Sequence, residues 1–265
     1  MEWMLLFFAG VAGGVINSVA GGGSFITFPA LMWVGVPPIA ANATNTFAAC
    51  AGYLSGSYGF RKEIAQHSDK LWHILIFSFI GGGLGAYLLL NTSEELFIEA
   101  IPWLLLFATV LFVFGQKINQ SISAINGRLG IGNSAVGRGA AFVLSGLLLV
   151  SVSAYGGFFN AGLGIIVLSY LVLVGYTNIN AMNGLKLLIS SAVSLTAISI
   201  FVVNDSIDWP RGLAVLLGTL VGGYLAARVS RVLPQYVVRH FVTASSAAIT
   251  LYFFYDVYWR PAAIV

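Results

Sequence analysis

The chain has 265 residues, 58% of them hydrophobic and only 8% charged, and a formal net charge of +3. An ordinary soluble domain carries roughly 25% charged residues, so a chain this poor in charge must have lipid as its main solvent. Soluble enzymes, nucleic-acid binders and disulfide-stapled secreted domains are excluded. The one cysteine, Cys50, lies in an apolar stretch and reads as a small core residue.

The opening Met1-Glu2-Trp3-Met4 has no basic n-region or cleavage site, so the first apolar segment is expected to stay in the mature protein. Glycine, proline and charge clusters then divide the chain into apolar segments at 3–20, 24–36, 38–60, 71–91 and 96–116, followed by 139–160, 164–175, 178–203, 210–228 and 237–258. Segments 24–36 and 164–175 span only about 20 Å and about 17 Å as helices, too short for a hydrocarbon core of about 30 Å. Each follows a breaker, Gly21-Gly22-Gly23 or Gly162-Leu163-Gly164. The spacing predicts, in each half, a hairpin broken near the membrane centre and then three full crossings.

A shift of 140 residues aligns the halves: Gly22 falls on Gly162, Leu31 on Leu171, Gly35 on Gly175, Ile39 on Ile179, Gly82 on Gly222 and Ala86 on Ala226. A constant offset with glycines aligned at both ends reads as a duplication. Charge sets the orientation. Arg61, Lys62, His67 and Lys70 form one basic loop, Lys117, Arg128 and Arg138 a second, and Arg228, Arg231 and Arg239 a third; Glu94, Glu95 and Glu99, then Asp205 and Asp208, form acidic loops between them. If the hairpins enter and leave on one side, every basic loop is cytoplasmic, every acidic loop is outside, and both termini are outside. Merging each hairpin into one span would put the Arg61 or the Arg228 loop on the wrong side.

The expected fold class is therefore an all-α polytopic membrane protein of two inverted structural repeats, 1–118 and 139–265, joined by a cytoplasmic linker at 119–138. Trp3, Trp33, Trp72, Trp103, Trp209 and Trp259 lie near segment ends, at headgroup level. The pairs Gly10/Gly14, Gly52/Gly56, Gly81/Gly85 and Gly218/Gly222 would let helix backbones approach closely.

Polar residues inside the apolar segments cluster at the two breaks. Asn17, Ser18, Ser24, Asn42, Thr44, Asn45 and Thr46 lie in the first half, and Asn160, Asn178, Asn180, Asn183 and Lys186 in the second. Repeated broken helices beside such side chains point to a substrate site at the repeat interface. Two helix N-termini meeting at mid-membrane, each with unpaired N–H groups and a positive dipole end, make a cradle for an anion. The candidate substrate-binding residues are Asn17, Gly22, Gly23, Ser24, Asn45 and Thr46 with Asn160, Gly162, Gly164, Asn183 and Lys186. Lys186 has no acidic neighbour in its segment, and its charge is expected at the depth of the Gly164 helix start. No carboxylate sits at mid-membrane, which disfavours an acidic cation site. The three histidines lack metal-ligand spacing, no catalytic triad falls in one cavity, and no cofactor is called for. The expected partners are a small anion and membrane lipid, with no nucleic acid; a homodimer is left open.

The run from Ala12 to Ser24 with Pro29-Ala30-Leu31, Gly35-Val36-Pro37 and Ala40-Ala41-Asn42-Ala43-Thr44-Asn45 resembles the opening repeat of the TauE/SafE sulfite and organosulfonate exporter family, with its 4-toluene sulfonate uptake permease-like transporters. Length, duplication and the second glycine block fit over essentially the whole chain. The second block departs from the family pattern, ending Asn160-Ala161-Gly162-Leu163-Gly164 without a double glycine and carrying Ser169 in place of a proline. The resemblance implies transport of sulfite, sulfonates or related sulfur oxyanions across the bacterial inner membrane. The competing reading is an anion channel or uniporter for small organic anions.

Overall fold

The computed structural model describes residues 1–19, 21–129, 135–229 and 235–259. Arg231 lies outside these, as do the side chains of Ser18, Lys70, Lys117, Arg128, Arg138, Arg228 and Arg239. Regular structure among the described residues is entirely helical. The helices are α1 (Glu2–Val19), α2 (Ser24–Trp33), α3 (Pro38–Gly59), α4 (Arg61–Ala65), α5 (Ser68–Leu90), α6 (Glu94–Leu129), α7 (Ala135–Phe158), α8 (Leu163–Leu173), α9 (Ile179–Val203), α10 (Trp209–Val229) and α11 (Gln235–Phe254), closed by a π-helical turn at Tyr255–Trp259. Leu71–Leu90 and Ile179–Val203 are each long and apolar enough to cross a bilayer.

Helix α6 overruns its expected end, running on from the apolar segment at 96–116 to Leu129. Backbone hydrogen bonding continues a helix across a polar boundary when nothing breaks it, and Gly115 and Gly127 are tolerated inside it at a cost of about 1 kcal/mol each. The added α4 is a single turn holding the Arg61-Lys62-Glu63 triplet.

Packing follows the small residues. α1 lies against α10, and α5 against α7. A Cβ on Gly14 would overlap Thr219 O, and one on Gly218 or Gly222 would overlap the α1 backbone at Phe7 O or Val11 O. On the other side, Gly81 and Gly85 fit against the backbone at Val150 and Ala154. Lipid tails are as apolar as Leu, so close backbone approach rather than water exclusion holds such pairs together. Gly52 and Gly56 do not make a helix pair: a Cβ on Gly52 would meet only Asn17 Nδ2, at 3.9 Å, and one on Gly56 would meet the Leu187 side chain. The packing pattern is reciprocal. α1 meets α10 as α7 meets α5, α10 meets α3 as α5 meets α9, and α3 meets α9 between them.

The two ends of the bundle differ in charge. At one end Arg211 pairs with Glu2 at 3.3 Å, the Asp208 N–H donates to Thr44 Oγ1 at 2.9 Å, and the Ile39 N–H donates to Glu94. The Tyr258 hydroxyl donates to Glu99 O at the same end. At the other end His67 stacks edge-on against Tyr176, and Phe60 and Ile64 cover Gly184 at the start of α9. α3 therefore runs from the acidic end to the basic end, and α9 runs back. α2 leads into α3 at the acidic end and α8 into α9 at the basic end, so both breaks lie in the interior between them.

Candidate functional site

The two breaks meet. After α1 the chain turns at Gly21, whose φ of +79° is paid only lightly by a residue without a Cβ; its counterpart before α8 is Gly162, with φ +83°. The left-handed residue of the first break is Gly21 and not Gly22, which the 140-residue shift aligns with Gly162; Gly23 makes a close approach, since a Cβ there would overlap Gly13 O and lie 2.9 Å from Asn17 Cβ. The reason is local. Gly21 N–H bonds back to the Ile16 and Asn17 carbonyls, which ends α1 as a glycine C-cap does, one residue earlier than the 140-residue alignment implies. Gly162 has no spare room either, since a Cβ there would lie 2.5 Å from Ala108 Cβ.

Helices α2 and α8 start from Gly23 and Gly162 without any side-chain cap. α9, at the end of the bundle, shows the contrast. Its N-cap Asn178 accepts from the Asn180 and Ala181 N–H groups. Asn178 and Asn180, grouped with the break by sequence, thus serve the start of α9 and lie away from the interior.

Lys186 comes from α9 into the gap between the breaks. It is 7% exposed. Its stem passes Gly164, where a Cβ would stand 3.4 Å from Lys186 Cδ, and its ammonium reaches Gly21, where a Cβ would stand 3.8 Å from Nζ. The same Gly164 position is 3.5 Å from Gly21 O, so both breaks and the lysine occupy one locus. Nζ donates to Asn183 Oδ1 at 3.4 Å and forms no ion pair among the described residues. A buried cation without a counter-ion is expensive to maintain.

Hydroxyls and carboxamides of both halves complete the site. Ser24 Oγ donates to Asn160 Oδ1 at 3.2 Å, and Tyr53 OH donates to the same oxygen at 2.9 Å. The Asn160 N–H donates to Asn42 Oδ1, whose Nδ2 donates to Phe158 O at 3.0 Å, tying α3 to the strand of chain between α7 and α8. Thr27 Oγ1 donates to Asn45 Oδ1. Asn45 and Asn160 are each 1% exposed, and their Nδ2 groups find no partner among the described residues. Unpaired amide donors and an ammonium, with no carboxylate among them, are groups that suit an oxyanion and disfavour a cation.

Of the expected residues, Ser24 and Asn160 are hydrogen-bonded to each other, Gly164 and Asn183 lie against Lys186, and Asn45 is held by Thr27. Asn17 is half-buried at the edge, against Gly23 and Gly52. Gly22 is buried in the turn. Thr46 is fully buried, but its hydroxyl donates to Asn42 O in its own helix, so it offers no free donor. Thr27 and Tyr53 are the residues that sequence reasoning missed. The signal was present: Asn42, Asn45, Ala49 and Tyr53 recur at spacings of three and four, one stripe of a helix.

Glycine-packed helices, two interior breaks and a buried polar locus beside them describe a helical membrane protein of the transporter class. A family model described as "Sulfite exporter TauE/SafE" matches residues 6–253, and the chain belongs to this family of membrane transporters, which is not an enzyme class. The chain is similar to a "Probable membrane transporter protein" of Haemophilus influenzae, 29% identical over 257 residues, covering 96% of this chain and 95% of that one. It is also similar to the "Probable membrane transporter protein YfcA" of Escherichia coli, 27% identical with 95% and 89% covered, and to the "Probable membrane transporter protein ORF9" of a Sinorhizobium species, 24% identical with 93% and 90% covered. No solved structure matches.

Proposed function

We propose that this membrane transporter is a secondary transporter for a small anion, a sulfite, organosulfonate or related sulfur oxyanion, in the bacterial inner membrane. The observation that carries the reading is the meeting of both helix breaks on Lys186. Two helix starts without a side-chain cap each carry a partial positive charge, and a lysine without a carboxylate supplies a full one. An anion seated there would offset the lysine's burial, and the amides of Asn45 and Asn160 would take further oxygens. The substrate-binding set is Asn17, Gly22, Gly23, Ser24, Asn45, Asn160, Gly162, Gly164, Asn183 and Lys186, with Tyr53 and Thr27 added as the hydroxyls that hold the two asparagines; Thr46 drops out of the set because its hydroxyl is held by Asn42 O.

In this reading the chain is two inverted repeats, 1–118 and 139–265, with a cytoplasmic linker at 119–138. The reciprocal packing of α1 on α10 and α7 on α5 supports it, as does the segregation of basic and acidic loops to opposite ends. Alternating access would then rock one repeat against the other around the shared site.

A thermal-shift screen of the purified protein against sulfite, thiosulfate, taurine, sulfoacetate and small carboxylates tests the substrate class. A true substrate at 100-fold excess over its dissociation constant adds about 2.7 kcal/mol. Stabilisation by carboxylates alone, or by no oxyanion, would overturn the sulfur-oxyanion reading.

A further inference from the structure

The charge inventory of the interior has a consequence for energy coupling. From Trp3 to Phe60 the chain contains no Lys, Arg, Asp, Glu or His, and from Gly139 to Asn204 it contains one such residue, Lys186. These two stretches supply every group of the site. The site therefore holds one titratable cation and no fixed carboxylate. With Lys186 protonated and a monovalent anion bound the site is neutral; with the anion gone it carries an uncompensated charge, 7% exposed.

Resting on the anion-transporter reading, we propose that Lys186 carries the coupled proton, so that one proton and one monovalent anion cross together and the loaded and empty sites are both neutral. The step balances. On release of the anion, an N–H bond of the ammonium breaks heterolytically, the electron pair stays on Nζ, and the proton leaves to water on the same side as the anion. The neutral amine then returns through the closed state, where a bare ammonium would be costly. On the next cycle Nζ takes a proton from the side on which the anion binds.

The groups around α9 leave this role to Lys186. The elements packed against α9 carry Cys50, Tyr53 and Tyr58 on α3, Arg61, Lys62 and Glu63 on α4, Asp69, Lys70, His73 and Tyr87 on α5, Arg138 and Tyr155 on α7, and Tyr170 on α8. His73 lies edge-on against the Phe142 ring of α7. The two carboxylates, Glu63 and Asp69, belong to the loop at the basic end, where Arg61, Lys62 and Lys70 outnumber them. Lys186 is ion-paired to no carboxylate among the described residues. Tyr53 spends its proton on Asn160. The geometry also supplies the anion's share of the cycle, because the helix starts that would hold it flank the ammonium.

The test uses the full-length protein in liposomes with methanesulfonate, which stays a monoanion across the working pH range. Potassium and valinomycin clamp the membrane potential, and trapped pyranine reads internal pH. Inward movement of methanesulfonate is expected to acidify the lumen by about one proton per anion, and net uptake is expected to follow an imposed pH gradient and ignore an imposed potential. Uptake that tracks the potential without acidification would overturn the proposal. Radiolabelled methanesulfonate exchange at equal concentrations separates the two layers of inference. Exchange without acidification defeats only the proton coupling, whereas absence of exchange defeats the anion-transporter reading and the coupling with it. Lys186→Arg adds a second readout, because guanidinium does not release its proton in proteins. The ratio of net uptake to exchange is expected to fall by about tenfold or more. An unchanged ratio in Lys186→Arg would show that the proton travels elsewhere.

Discussion

Replacing Lys186 by Met should move stability and affinity in opposite directions. Methionine fills nearly the same volume beside Gly164 and Gly21, and it removes an amine whose burial is costly in either protonation state, whether as a cation, at about 2.5–3.5 kcal/mol within the membrane, or as a base that must first give up its proton. Without ligand, Lys186→Met should therefore melt higher than the wild type. Affinity should fall for the same reason. An anion oxygen about 4 Å from the ammonium gains about 4 kcal/mol at an effective dielectric constant of about 20, which corresponds to roughly a thousandfold in Kd. Gly21 and Gly164 present no side chains to Nζ, and its hydrogen bond to Asn183 is long at 3.4 Å, so an oxyanion would meet little competition for the ammonium. Calorimetric titration of detergent-purified wild type and variant with the anion found by thermal shift, together with ligand-free melting curves, measures both effects. A variant that melts lower and binds within tenfold of the wild type would refute the reasoning, because Lys186 would then be a structural residue that the fold needs charged.

Three further outcomes follow from the geometry. Gly14→Leu should sharply reduce the amount of folded protein in the membrane, since even its Cβ overlaps Thr219 O and lies 2.9 Å from Thr219 Cα; size-exclusion profiles of the detergent extract measure it, and a monodisperse wild-type yield would mean that α1 and α10 are not held by this contact. Gly162→Ala places a Cβ at a φ of +83° and 2.5 Å from Ala108 Cβ, costing about 1–3 kcal/mol of backbone strain before the clash. Its melting temperature and transport should both fall, and pairing it with Ala108→Gly should recover part of the loss by relieving the clash. Single cysteines introduced at Glu2 and Asn126 in a Cys50→Ala background should be labelled from opposite sides of the membrane by an impermeant maleimide; labelling from the same side would sink the inverted arrangement.

The helices were legible because their causes are local. Runs such as 71–91 or 178–203 are too apolar for anything but lipid or core, and glycine, proline or charge interrupts them where the helices end: α5 at Ser68–Leu90 and α9 at Ile179–Val203. The short α2 and α8 were announced by the breakers before them. Lys186 stood out because a single charge in a long apolar stretch has few roles open to it. The end of α6 was not legible, because polar residues after Gly115 carry no instruction to stop a helix whose hydrogen bonds simply continue.

Sequence alone thus determined which segments are helices, where each half breaks, and which charge lies buried. Only the tertiary structure decided what these parts do for one another. Periodicity gives the face a residue occupies and not the partner across from it, so the meeting of Gly21 with Gly164 at Lys186, across 143 positions of chain, depended on how α1, α8 and α9 pack. The same holds for Tyr53 and Ser24, whose hydroxyls converge on Asn160 Oδ1, and for Thr46, which alignment with Lys186 pointed into the site and whose hydroxyl is spent on Asn42 O. A hydroxyl on a helix can bond to its own backbone one turn back or to a neighbour, and the choice is made by what packing places within reach.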